Sequence, residues 1–192
     1  MREAAIERKT NETAVTVYLN IDQKGANEIK TGIGFFNHML DLFAFRAGIT
    51  LRVNCKGDLD VDGHHTVEDV GIALGQAIAK ALGDKDGINR YGQAAIPMDE
   101  SLASCVIDIS GRPYLVFQAE FPAGRVGEFE PELTEEFFRA VAMHAGFTLH
   151  IRLIYGKNTH HMIEAIFKAF GCALKQAAGL TGQGVPSTKG VL

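Results

Sequence analysis

His64-His65-Thr66-Val67-Glu68 returns 96 residues later as His160-His161-Met162-Ile163-Glu164. From composition alone, one His-His-x-x-Glu string is expected roughly 0.02 times in such a chain. Two of them mark an internal repeat, and the match extends on both sides. Upstream, Ala47-Gly48-Ile49-Thr50-Leu51 returns at a spacing of 98 as Ala145-Gly146-Phe147-Thr148-Leu149, so a loop between the two matches is shortened in the second copy. Downstream, Ala73, Gly75, Ala77, Ala81 and Gly83 fall on Ala169, Gly171, Ala173, Ala177 and Gly179, the length of a helix. Two copies make a duplicated domain rather than a solenoid, which needs more units to bury a continuous face.

The hydrophobic period assigns elements in the same order in each copy. Residues 14–21 and 103–109 alternate and are rich in β-formers. Residues 27–33 and 114–121 read as the next strands, then helices over 35–45 and 134–144, the latter with Thr134 as its N-cap. Strands follow over 49–55 and 147–155, and long helices over 65–82 and 161–178, closed by Gly83 and Gly179 at C′ positions. The predicted class is α+β: two βββαβα units, each a sheet with its helices on one face. The units span 1–92 and 93–180, joined through Asp84-Lys85-Asp86-Gly87. The small, polar, Gly/Pro-rich tail 181–192 is expected to be a mobile loop.

Size and charge bound the function. A chain of 192 residues, 46% hydrophobic and 22% charged, can bury about 70% of its unfolded surface, so it needs neither disulfide nor structural metal merely to fold. Acids outnumber bases 23 to 19, which argues against a nucleic-acid partner, because phosphate neutralisation calls for a basic face. No apolar run approaches the ~20 residues that span a bilayer, and the start lacks the apolar centre of a signal peptide. No membrane partner and a cytoplasmic location are therefore expected. Cys55, Cys105 and Cys172 are odd in number without CxxC spacing, and read as buried reduced thiols.

The repeated motif carries the chemistry. Residues three or four apart share a helix face, so Glu68 converges with His64 or His65, and Glu164 with His160 or His161. Adjacent histidines point about 100° apart, which favours two metal sites sharing ligands over one. At the spacing of 98, His38 falls on Glu136, and both open a helix upstream of the double histidine. Imidazole and carboxylate without thiolate suit Mn, Fe or Zn, with manganese favoured by a six-coordinate N/O set. His144 and His150 fall on Arg46 and Arg52 and read as a helix-end and a strand histidine. There is no HExxH; Gly32-Ile33-Gly34 lacks the third glycine of a dinucleotide loop, and Gly156-Lys157 lacks the flanking residues of a P-loop. Arg90 and Arg112 in glycine-rich turns, with Lys189 beside Ser187 and Thr188 in the tail, suggest a phosphate pocket.

Taken together, the whole chain resembles imidazoleglycerol-phosphate dehydratase, the lyase of histidine biosynthesis. The resemblance rests on Thr31-Gly32-Ile33-Gly34-Phe35-Phe36-Asn37-His38-Met39-Leu40-Asp41, Asp62-Gly63-His64-His65-Thr66-Val67-Glu68-Asp69, His160-His161-Met162-Ile163-Glu164-Ala165-Ile166-Phe167-Lys168-Ala169-Phe170 and Ser187-Thr188-Lys189-Gly190-Val191-Leu192. It implies a duplicated βββαβα fold, two Mn2+ ions per site, and 24-subunit shells with metal sites between neighbours. The implied ligands are His38, His64, His65, Glu68, Glu136, His160, His161 and Glu164, with Glu136 standing where some members have His. The implied substrate contacts are Glu12, Arg90, Arg112, Lys168, Ser187 and Lys189, the cations serving the phosphate, and the tail 181–192 would cover the substrate. Glu12 is the implied acid/base, with His65 and Glu164 beside it in the catalytic set.

The implied reaction converts imidazole glycerol phosphate to imidazole acetol phosphate by loss of water. The carbon proton that must leave is activated by an imidazole, not a carbonyl, and is barely acidic. Metal on the ring nitrogens favours imidazolate, which can expel the hydroxyl and leave a diazafulvene-like intermediate with a more acidic proton. Two other readings fit the repeat alone: a dinuclear hydrolase with a bridging water as nucleophile, and a non-enzymatic shell clipped by histidine pairs. The cations discriminate against the shell, since a storage or structural site has no use for Arg90, Arg112 and Lys189.

Overall fold

The computed structural model describes residues 1–182, 184–190 and 192. Each unit begins with an antiparallel hairpin, β1 (Glu3–Lys9) with β2 (Thr13–Asn20), and β5 (Tyr91–Met98) with β6 (Ser101–Asp108). A short strand, β3 (Glu28–Lys30) or β7 (Tyr114–Gln118), leads into a helix, α1 (Gly34–Ala47) or α3 (Leu133–Ala145). The next strand is β4 (Thr50–Gly57) or β8 (Thr148–Tyr155), and the closing helix is α2 (His64–Leu82) or α4 (Thr159–Ala178). The sheets have the same order, β1-β2-β4-β3 and β5-β6-β8-β7, and only the last pair of each is parallel. The two βββαβα units expected from the repeat are thus present as two four-stranded sheets.

The alternation seen in the sequence sets which face is covered. Val15, Val17 and Leu19 of β2 are buried while Ala14 and Thr16 face out. Both helices of a unit lie on that buried face, and the units meet helix to helix: α2 packs on α3, and α4 on α1. Gly75 and its repeat partner Gly171 sit at these crossings. A Cβ would come within 2.9 Å of the Val141 carbonyl oxygen at Gly75, and within 2.6 Å of the Phe43 carbonyl oxygen at Gly171. Phenylalanines fill the space between, with Phe43 stacked on Phe170 and Phe137 on Phe167. The repeated Ala-Gly pair ends the shorter helices, with Gly48 (φ 72°) and Gly146 (φ 70°) as left-handed caps.

Several local expectations change. The strand β5 runs across the expected 92/93 boundary, so the connection between the sheets is the turn after Leu82 and before Tyr91. In each unit's first strand the fully buried inner position is a small residue, Ala4 or Gly92, and the larger inner residues Ile6, Ile96 and Met98 are only partly buried, which blunts the alternation signal. Helix α3 starts earlier than expected, after Glu132; Thr134 is therefore inside the first turn, buried, its hydroxyl without a partner among the described residues. Gly179 ends α4 with an ordinary φ of −58°, whereas Gly83 has φ 56°. Cys55 and Cys105 are buried, and burial pushes the Cys55 thiol up to about 11, but Cys172 is partly exposed. In the tail, Thr181 N–H donates to the Gly87 carbonyl and Gly184 N–H to Asp86 Oδ1; residues 183 and 191, which belong to the expected loop and terminal motif, lie outside the described residues. No described helix is long and apolar enough to cross a membrane.

All four helices begin at one end of the molecule. Ile33 and Leu133, just before or at the starts of α1 and α3, flank Gly63 at the start of α2, and His38 of α1 faces His160 of α4. The β1–β2 and β5–β6 turns reach this same end, through Glu12 and Glu100.

Candidate metal centre and active site

The first turn of α4 stacks His160 over Glu164, and α1 brings His38 beside them. Glu164 Oε2 lies 3.2 Å from His160 Nε2 and 3.6 Å from His38 Nε2, and one ligand atom from each residue lies within 4.8 Å of the other two. Glu164 is only 6% exposed, and Lys168, one turn on, places Nζ 2.5 Å from its other oxygen. Burial works to raise the Glu164 carboxyl, but Lys168, then His160 and His38, outweigh it and hold it below the usual carboxylate range. The edge of Phe35 packs on His160, with ring centroids 5.0 Å apart, and helps fix the imidazole.

The repeat partner of this cluster is looser. His64 Nε2 lies 3.8 Å from Glu68 Oε2, and Glu136 lines the same cleft of about 630 Å³ as His64. Glu136 is turned to Arg139, 3.5 Å away, which competes for its charge.

The second histidine of each pair points elsewhere. The rings of His64 and His65 stand at 83°, those of His160 and His161 at 80°, as adjacent helix positions require. His65 Nδ1 is 3.0 Å from Asp58 Oδ2 and its Nε2 is 3.8 Å from Glu12 Oε1. His161 Nδ1 is 2.7 Å from Glu100 Oε2 and its Nε2 is 3.8 Å from Asp99 Oδ2. A carboxylate only accepts, so in each pair Nδ1 donates, and Nε2 is turned toward the neighbouring hairpin turn, to Glu12 or Asp99. Asp58 raises the pKa of His65, and Glu100 that of His161. His161 and then the Asn158 N–H hold the Glu100 carboxyl well below its ordinary value.

The other expected substrate contacts lie far off. Arg90 Nε and Nη2 are 2.7 and 3.2 Å from Asp108, while Nη1 donates to the Pro186 carbonyl at 3.0 Å. Arg112 reaches the same Asp108 at 3.8 Å, and Lys189 N–H donates to Ser187 Oγ in the adjoining tail. Arg90 N–H donates to Ala177, 17 residues along α4 from His160, a distance of about 26 Å along the helix. One chain therefore brings Glu12, Lys168 and the histidines to one end, and Arg90, Arg112, Ser187 and Lys189 to the other. His144 ends α3 with Nδ1 2.9 Å from the Ala140 carbonyl, and His150 is an exposed residue of β8, as the repeat suggested.

Asp58, Asp99 and Glu100 were not singled out in the sequence. Glu100 had a signal: the pairings Lys9 with Ala14 and Pro97 with Leu102 make Asn11-Glu12 and Asp99-Glu100 equivalent turns.

Residues 31–174 match the sequence profile of a family described as imidazoleglycerol-phosphate dehydratase. The chain belongs to the imidazoleglycerol-phosphate dehydratase family. The imidazoleglycerol-phosphate dehydratase of an Exiguobacterium species is 56% identical over 99% of this chain and 98% of its own length. That of Acetivibrio thermocellus is 56% identical over 100% and 99%. Among solved structures, the dehydratase from Staphylococcus aureus superposes with a TM-score of 0.85 at 47% identity, over 93% of this chain and 99% of that one. The Pyrococcus furiosus enzyme gives 0.86 at 38%, over 97% and 100%.

The donor set fits a divalent cation. An ion about 2.0–2.2 Å from each donor holds ligand atoms up to roughly 4.2 Å apart, and the 3.2 and 3.6 Å spacings around Glu164 fall inside that limit. The donors are imidazole nitrogen and carboxylate oxygen, with no thiol among them.

Proposed function

We propose that this chain is a manganese-dependent hydro-lyase of histidine biosynthesis, converting D-erythro-imidazole glycerol phosphate to imidazole acetol phosphate in the cytoplasm. The observation that carries the reading is the His38–His160–Glu164 cluster with Lys168 against it, in a chain of this family. His38, His64, His65, Glu68, Glu136, His160, His161 and Glu164 would hold two Mn2+ ions per site. When bound, these ions supply Lewis acidity to the ring nitrogens of the substrate and favour its imidazolate form.

The protein's own groups do the rest. Lys168 keeps Glu164 ionised, and so a ligand, at a buried position. Glu12 is half exposed on a turn and, among the described residues, has no ion pair closer than the 3.8 Å to His65 Nε2; from there it would move a proton between the carbon that loses hydrogen and the departing hydroxyl. Arg90, Arg112, Ser187 and Lys189 bind the phosphate, and the tail closes over it.

The distance between the two ends supports a site made by more than one chain. A substrate of this size cannot reach across about 26 Å, so the phosphate cations of one subunit serve the histidines of another. This agrees with a 24-subunit shell carrying metal sites at its subunit boundaries.

Chelation followed by light scattering and an assay for imidazole acetol phosphate tests the reading. Stripping the metal is expected to abolish turnover and shrink the particle, and Mn2+ to restore both. Full activity in a metal-free preparation would end the proposal. Lys189→Ala is expected to raise KM at unchanged particle mass; an unchanged KM would remove the tail from the phosphate site.

A further inference from the structure

The two turns that face the outward histidines have the same length and the same glutamate, yet the glutamates do different things. Glu12 leaves its carboxylate 3.8 Å from His65 Nε2, with Asp58 on Nδ1. In the second unit the loop that supplied Asp58 is shorter. It runs over 58–63 between β4 and α2, but only over 156–158 between β8 and α4, where Gly156, Lys157 and Asn158 offer no acid. The drop in repeat spacing from 98 to 96 is this deletion.

Glu100 takes up the contact. Asp99 has φ 46°, a left-handed conformation that Asn11 does not share, and it turns the β5–β6 tip onto the start of α4. Glu100 Oε1 accepts from the Asn158 and Lys157 N–H groups at 2.8 and 3.2 Å and from Ser101 Oγ at 3.0 Å. With one oxygen anchored to backbone, the other is held 2.7 Å from His161 Nδ1. Asp99 moves to the Nε2 side, at the 3.8 Å that Glu12 keeps from His65.

We infer that Glu100 is the positioning residue of His161, fixing its ring with Nδ1 protonated and Nε2 presented to a cation, in place of the aspartate lost with the shortened loop. This rests on the manganese reading above. A ligand imidazole whose second nitrogen is held by a carboxylate is both oriented and made more basic, and loss of such a partner typically weakens metal binding 10–100-fold.

The test is Mn2+ titration of the metal-stripped full chain, following free Mn2+ by its electron paramagnetic resonance signal, with wild type, Glu100→Ala, Glu100→Gln, Asp58→Ala and Ser101→Ala side by side. Glu100→Ala is expected to weaken part of the bound Mn2+ about 10–100-fold. Glu100→Gln should lose less, because its amide oxygen still accepts from Nδ1–H. Asp58→Ala should match the alanine variant at position 100, and Ser101→Ala, which leaves both backbone donors on Oε1, should weaken binding less than Glu100→Ala. Excess Mn2+ should return most of the kcat of Glu100→Ala. Wild-type Mn2+ affinity in Glu100→Ala, with or without a lower melting temperature, would reduce Glu100 to a cap on α4 and overturn the inference alone. A wild-type chain that binds no Mn2+ would instead overturn the manganese reading itself. If Glu100→Ala does not fold, the nearly isosteric Glu100→Gln carries the test: undiminished Mn2+ affinity there, beside a loss in Asp58→Ala, overturns the assignment.

Discussion

In the first unit the turn is tied from below. Asp69 of α2 accepts from Arg8 Nε at 2.8 Å and, through its other oxygen, from the Thr13 hydroxyl, so both strands next to Glu12 are held while its side chain is not. In the second unit the corresponding position is Ala165, and the turn is held by Glu100 itself. One carboxylate cannot both clamp its neighbours and exchange protons, because a clamp needs constant ionisation and fixed geometry. On the roles proposed above, the duplication divides two jobs between equivalent residues, and Asp69, by holding Arg8 and Thr13, leaves the Glu12 side chain unclamped. The inner clusters diverge in the same way: His38, His160 and Glu164 close up, whereas Glu136 leans on Arg139 in the cleft it shares with His64.

The sharpest challenge to this division is to make the same change in both turns. Glu12→Gln is expected to lower kcat by roughly 10²–10⁴ with little change in substrate affinity, while Glu100→Gln at saturating Mn2+ keeps kcat near wild type. Equal losses of kcat would erase the distinction. Next, Asp69→Ala should destabilise the protein by about 1–3 kcal/mol, since it strands a buried hydroxyl and frees Arg8. It should also lower kcat through Glu12 without changing Mn2+ affinity; chemical denaturation and steady-state rates measure both.

Gly171→Ala and Gly75→Ala compare the helix crossings. Each forces a methyl group against a backbone carbonyl and should cost about 1–3 kcal/mol, with Gly171 the worse because its contact is closer, 2.6 against 2.9 Å. The smallest effect is on the pH dependence of the metal-free chain. Asp58 and Glu100 raise the pKa of His65 and His161, so their contribution to stability is complete below the ordinary value of 6.5 and is lost as pH rises through the raised values. Glu164 runs the other way: its lowered pKa gives stability above the ordinary carboxylate range that is lost as pH falls through the folded value. The melting temperature of metal-free protein should decline as pH rises above 6.5, and Asp58→Ala with Glu100→Ala should flatten that decline.

The fold was legible because the repeat covers the buried helices, where packing restricts what can change: the small residues Gly75 and Gly171 could not grow without separating α2 from α3 or α4 from α1. Strands β1 and β5 were less visible, since edge strands with Ala4 and Gly92 on the inner face carry little alternation. The paired histidines and the glutamates Glu68 and Glu164 stood out through the same helical repeat. Asp58 and Glu100 did not, because they reach the histidines from loops whose lengths differ, and a two-residue turn leaves one shared letter to find. Nor did the cations reveal their location: Arg90 and Lys189 are ordinary in sequence, and only the direction of α4 sets them at the far end.

That far end has a genetic consequence. If the cations at that pole bind the substrate phosphate, as proposed, a protein damaged at His161 and one damaged at Lys189 have complementary defects. Co-expressed, the two impaired alleles would assemble mixed particles in which some boundaries join two undamaged poles, and turnover at low substrate would exceed that of either allele alone.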